Sequence, residues 1–387
     1  MVSAILQPKL GHFPGVPALL PVAGALLVLS QSAQGPAGQL LASKPMIWLG
    51  ELSYSLYLWH WPVLALLRYY TGSQVLDMSF SLLFITLTLT LSILSYYALE
   101  TPLRVHHTRI KQMLGYGLLA AAGLVTVPSM AKINQILTPP PLPIEYQRYA
   151  DPAAICHGHI VGDCLKGDLA SYKEVLVLGD SHAAMLNLFF DQLGKELGFK
   201  ARIITASSCV TIPGFDYKRI AEWAHQACLD QINEAQKHIN NAEVIFIAGM
   251  WSWQFEDDNF RKTIETFLRN AAPQAKKYLL SQIPLLRHNP MRARRFDAMQ
   301  LDYFVGRDER YKVANSILAE IAADYSGVSY IKLDELKLFD TAPIYNGLYV
   351  YYDDSHISEQ GALEYAAQAK EVFRPLVGKI KSIGAGD

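Results

Sequence analysis

The feature that most constrains this chain is the uneven placement of its charge. Residues 1–135 hold long apolar stretches and very few acids, whereas residues 145–387 carry nearly all the charged side chains. The apolar stretches are Val16–Ser30, Ile47–Tyr70, Ser79–Leu99 and Met113–Met130. A helix of about 20 apolar residues crosses the roughly 30 Å hydrocarbon layer of a bilayer. The second and third stretches meet that length, and the first and fourth lie near its lower limit. The sequence therefore predicts about four transmembrane helices followed by a water-exposed domain. A removable signal peptide fits poorly, because Lys9 is followed by "GHFPGVPALLP" and further apolar runs come after it.

Loop charges predict the orientation. The loop after the third stretch carries Arg104, Arg109 and Lys111, and the loop after the second, "TGSQVLDM", has no Lys or Arg. Basic loops stay in the cytoplasm. The fourth helix then leads outward, and everything beyond about residue 135 is expected outside, together with the N-terminus. A net charge of −1 and the lack of a basic tract speak against nucleic acid as a partner.

Cys156, Cys164, Cys209 and Cys228 all fall in the exported part. An even count in an oxidising compartment predicts disulfides. Of the three pairings, the two local ones, Cys156–Cys164 and Cys209–Cys228, are favoured. The rival is a metal site, since "CHGHIVGDC" places His157 and His159 between two cysteines. That spacing lacks the recurrence of ligand motifs, and no metal is expected.

The stiff segment "TPPPLP" marks a boundary. The expected organisation is a membrane region over 1–135, a linker and pre-domain loop over 136–171, and a domain over 172–387. In that domain, strand signals at Glu174–Leu178, Arg202–Thr205, Val244–Ala248, Lys277–Gln282 and Val328–Leu333 alternate with helical ones. The helical stretches are Ala183–Leu197, Trp223–Asn240, Asp258–Ala272, Arg307–Tyr325 and Ser358–Leu376. Short apolar strands separated by helices predict a mainly parallel sheet covered on both faces.

In such a sheet, ligands bind beyond the carboxyl ends of the strands. There the sequence reads "VLVLGDSHAAML". Ser181 sits on the turn from strand to helix, where the helix N-terminus favours developing negative charge. A serine nucleophile needs a base, and the base needs an orienting group. Both occur in "YVYYDDSHISEQGALEYAAQA", where Asp353 and His356 stand three residues apart before the final helix. His356 is the expected base and Asp353 its carboxylate. Asp354 is the competing carboxylate. His182 is expected to make local hydrogen bonds, and Ser358 to cap the last helix.

"GDSH" near the start of this domain and "DDSH" near its end resemble the SGNH (GDSL-like) hydrolase superfamily. "FPGVPALLPVAGA", "WLGELSYSLYLWHWPVL" and "YYALETPLR" resemble the last helices of membrane acyltransferase family 3. Together they are similar to bacterial fusions of that membrane domain with a periplasmic SGNH domain. The resemblance implies an α-helical membrane segment followed by a three-layer α/β domain in the periplasm, on a multi-pass inner-membrane protein. It implies a Ser181–His356–Asp353 triad that O-acylates a bacterial surface polysaccharide, lipopolysaccharide among the candidates. Acetyl-CoA would be the ultimate donor, acting through a complete membrane domain, with no cofactor bound in this chain. Oxyanion donors implied are the amide of Ser181 and a backbone amide near Ser208, with Trp251 either a further donor or a core or cleft-wall aromatic. The first helices of that membrane family have no counterpart here, so the chain is expected to be part of a longer or split protein. His60 is expected to pack or hydrogen-bond within the membrane bundle. An esterase that deacetylates carbohydrate, and a non-catalytic anchored accessory protein, are the alternatives.

Overall fold

The computed structural model describes residues 19–29, 35–104 and 109–378. The chain divides into two compact units, Met1–Met130 and Ala131–Asp387.

In the first unit the described helices include α1 (Leu19–Leu29), α2 (Lys44–Thr71), α3 (Met78–Ser95, continuing to Arg104) and α4 (Arg109–Leu137), the last running into the second unit. Among the described residues two segments, Met78–Glu100 and Met113–Leu137, are long and apolar enough to cross a membrane. That corrects the expectation of about four. The described part of α1, 11 residues, extends about 16 Å, and the rest of the first apolar stretch lies outside the described residues. Helix α2 is long enough, but Glu51, His60, Arg68 and its many Tyr and Trp residues dilute its hydropathy. Glu51 and His60 have partners, as does Ser55 on the same helix. Ser55 donates to Glu100 at 2.9 Å and Tyr96 to Glu51 at 3.1 Å. His60 Nδ1 donates to the Tyr57 carbonyl at 2.6 Å.

The second unit is built on a six-stranded sheet. Its strands are β1 (Leu165–Gly167), β2 (Glu174–Gly179), β3 (Lys200–Thr205), β4 (Val244–Ala248), β5 (Lys276–Leu280) and β6 (Val328–Ile331). Their order is β1-β3-β2-β4-β5-β6, with β1 antiparallel and the rest parallel. Side chains of a strand alternate between its faces, and both faces here are buried. Val175, Val177, Phe246 and Leu280 join one core, with α6 (Asn187–Leu197) and α11 (Glu359–Val377) supplying Phe189, Phe190, Tyr365 and Phe373. Leu176, Leu178, Ile245 and Leu279 join the other, under α7 (His225–Ile239), α9 (Asp258–Asn270) and α10 (Arg310–Asp324). This is the expected mixed α/β architecture with a mainly parallel sheet. Both local disulfides, Cys156–Cys164 and Cys209–Cys228, are present.

The connection from β2 runs to β3 on one side, and the chain then crosses to β4 on the other. The carboxyl ends of β2 and β4 therefore flank a topological switch point, where such sheets open a crevice. Short helices α5 (Ser181–Ala184) and α8 (Trp251–Gln254) begin there.

Candidate active site

Gly179 ends β2 with φ +153°, and a Cβ there would stand 1.8 Å from the Ala248 carbonyl oxygen. Only glycine allows β2 and β4 to approach so closely where the chain turns into α5. Thr211 Oγ1 accepts the Gly179 N–H at 3.1 Å and donates to the Ile204 carbonyl at 2.7 Å, tying the turn to β3. Asp180 caps α5 by accepting the His182 N–H at 2.9 Å. Ser181 follows at the first helical position, with its side chain toward the crevice.

The last loop meets it from the far end of the chain. Ser358 caps α11 by accepting the Gly361 N–H at 3.0 Å and donates to the Tyr349 carbonyl at 2.8 Å. This ties the loop 350–358 to the start of α11 and to Tyr349. Ser181 Oγ donates to His356 Nε2 at 2.8 Å, and His356 Nδ1 donates to Asp353 Oδ2 at 2.9 Å. Asp353 Oδ1 also accepts the N–H groups of His356 at 2.6 Å and Ser355 at 2.8 Å. Burial works to raise the Asp353 carboxyl, but the His356 hydrogen bond and charge and these amides outweigh it and hold it below the usual carboxylate range. Asp354 makes no bond to His356; burial and the neighbouring Asp353 raise its carboxyl.

The imidazole of His356 is packed between two rings. Tyr149 stacks on it with centroids 5.1 Å apart and planes 21° apart, and His182 lies at 5.0 Å. Tyr149 is held in place by its neighbours: Arg148 pairs with Glu359 at 2.8 Å and its carbonyl accepts the Glu359 N–H. His182 departs from the expected hydrogen-bonding role. It is buried and both ring nitrogens lack a partner, so burial, and then the nearby His356, hold it far below the ordinary histidine range.

His157 bonds on both sides, donating from Nδ1 to Thr205 Oγ1 and accepting at Nε2 from Ser207 Oγ, each at 3.0 Å. Thr205 Oγ1 itself donates to the Cys156 carbonyl. The arrangement fits a neutral ring, and burial, followed by His356, lowers its pKa to about 4.

The implied oxyanion donors fare differently. No described hydrogen bond engages the N–H of Ser181 or of Ser208. Ser208 lies at the β3 exit with φ +58°, and its carbonyl accepts from Gln254 Nε2 at 3.3 Å. Trp251 is fully buried and its indole N–H donates to the Leu280 carbonyl at 2.8 Å. Its side chain is thus a core aromatic, one of the two readings of this residue, and its indole N–H is committed to Leu280 and does not serve Ser181.

Sequence reasoning missed Tyr149 and Gln254. Tyr149 belongs to the segment before the domain, and no local pattern announces that it folds back on the last loop. Gln254 lies in a one-turn helix with no motif of its own.

The arrangement can do acyl-transfer chemistry: an alcohol, a base and a carboxylate in hydrogen-bonded sequence, beside unengaged amides at two strand ends. Over 64 residues the chain is 36% identical to the O-acetyltransferase OatA of Staphylococcus aureus (strain NCTC 8325 / PS 47), covering 16% of this chain and 11% of that protein. The same protein from strain COL matches equally. The match thus spans about a tenth of the relative's length. Among solved structures, the periplasmic domain of the lipopolysaccharide acetyltransferase of Salmonella ser. Paratyphi A aligns with TM-score 0.41 and 14% identity, over 65% of this chain and 98% of that one. Residues 148–371, more than half of the chain, match the family described as SGNH domain (fused to AT3 domains), and to that family the chain belongs.

Proposed function

We propose that the protein is an O-acetyltransferase that modifies hydroxyl groups of a bacterial cell-surface polysaccharide through an acyl-enzyme on Ser181. The observation that carries this reading is the continuous hydrogen-bonded series Ser181 Oγ, His356, Asp353. Family membership and the partial likeness to OatA support acyl transfer, with acetyl as the group.

The chemistry runs in two halves. His356 Nε2 takes the Ser181 proton as Oγ attacks the acetyl carbonyl of the donor. The N–H groups of Ser181 and Ser208 receive the developing oxyanion. The C–O or C–S bond to the donor breaks, and the imidazolium returns its proton to the leaving group. A sugar hydroxyl then attacks the acetyl-serine ester, giving its proton to Nε2. The ester to the sugar forms, the bond to Oγ breaks, and Ser181 recovers the proton. Asp353 stabilises the imidazolium in both halves.

The two apolar helices would hold the domain at the bacterial inner membrane, facing the periplasm. A complete acyltransferase membrane domain, with the helices not found here, would supply acetyl groups drawn from acetyl-CoA. The full chain in detergent, given p-nitrophenyl acetate and a hydroxyl-bearing oligosaccharide, should yield acetylated sugar, and Ser181→Ala should abolish it. Free acetate as the sole product would favour the esterase alternative. Unchanged sugar acetylation in Ser181→Ala would reject the acyl-enzyme.

A further inference from the structure

Three strand exits converge on one buried side chain. Gln254 is fully buried, and its Nε2 donates to Asp180 Oδ2 at 2.8 Å and to the Ser208 carbonyl at 3.3 Å. Asp180 precedes Ser181 after β2, Ser208 follows β3, and Gln254 itself follows β4. The other Asp180 contacts are backbone amides: Oδ1 accepts from His182 and Oδ2 also accepts from Met250 at 2.9 Å. The Gln254 amide is oriented from its far side. Arg219 donates to Oε1 at 3.4 Å and to the Gln254 carbonyl at 3.2 Å, with its guanidinium 4.6 Å over the Trp253 ring. Arg219 lies within the Cys209–Cys228 loop and pairs with Asp257 at 3.6 Å.

We infer that Gln254 is a positioning residue for the acyl-transfer site, holding the Ser181 turn and the Ser208 peptide in mutual register. The inference rests on Ser181 being the nucleophile. A side-chain amide suits the place because it presents N–H groups to two acceptors and a carbonyl to a cation at once. Methionine matches its length and shape but donates nothing. Glutamate keeps the shape and can donate to Asp180 only when the pair holds a proton. The charged and titratable groups facing the introduced carboxyl are Asp180, with His356 beyond it, on one side and Arg219, with Asp257, Asp216 and Glu256 around it, on the other. As pH rises both carboxyls ionise and repel, and Arg219 draws the introduced one away from Asp180.

The test uses the full chain in detergent with p-nitrophenyl acetate and a fluorophosphonate probe. Gln254→Met should lower kcat at least tenfold with KM within twofold, and slow fluorophosphonate labelling of Ser181 by the same factor. Gln254→Glu should show a rate, relative to the parent at each pH, that falls as pH rises from 5.5 to 8. The ratio remains readable if the Met variant folds poorly. A Met variant within threefold of the parent, or a flat ratio for the Glu variant, overturns the inference. Activity that survives Ser181→Ala overturns the nucleophile reading and this inference with it.

Discussion

Gly179 shows how far one residue sets the site. A methyl group at that position would overlap the Ala248 carbonyl, so Gly179→Ala must separate β2 from β4 or distort the nucleophile turn. The expected cost is about 3 kcal/mol or more, in the range of severe strain and packing changes. Urea unfolding followed by tryptophan fluorescence would check it. Asp353→Asn should fold normally but lower kcat a hundredfold or more, since an amide cannot stabilise the imidazolium; acetyl transfer rates would measure this. Ser181, His356 and Asp353 were legible as candidates because each falls at a strand–helix or loop–helix junction with its chemistry in sequence. Tyr149 and His182, which enclose the imidazole, were not, because neither stacking nor an unpartnered buried ring leaves a local pattern.

Among the elements, the parallel strands read clearly. Strands buried on both faces are near-continuous apolar runs, and Val244–Ala248 is such a run. β1 escaped notice because it is a three-residue antiparallel edge strand with two of its residues only partly buried. The pre-domain segment carries a pH response. His157 is held neutral with a pKa of about 4, against about 6.5 in an unfolded chain. The unfolded state therefore binds more protons between those values, so stability is fully present above about pH 6.5 and is lost as pH falls toward 4. The loss is on the order of 3 kcal/mol. The urea midpoint of the parent should drop across that window, and His157→Asn should flatten the slope. Replacing Cys209 and Cys228 by serine opens a loop closed at a separation of 19 residues and should cost about 2–4 kcal/mol. It should also loosen Arg219 and the Gln254 contacts, so the rate should fall along with the unfolding midpoint.

At the scale of the whole molecule, composition separated an apolar unit from a charged one, and Cα packing divides the chain at Met130 and Ala131. Among the described residues fewer helices than expected are apolar enough to span, because an apolar run such as that within Lys44–Thr71 is interrupted by ionisable side chains. We propose that the second unit carries an acetyl group on Ser181 between donor and sugar. The most direct measurement mixes the full chain with p-nitrophenyl acetate, quenches it in acid, digests it, and locates the added acetyl mass by tandem mass spectrometry. Acetylation of Ser181 should form before product, disappear when an acceptor oligosaccharide is added, and be lost in His356→Ala. Turnover with no acetyl on Ser181, or with acetyl carried by another residue, would contradict it.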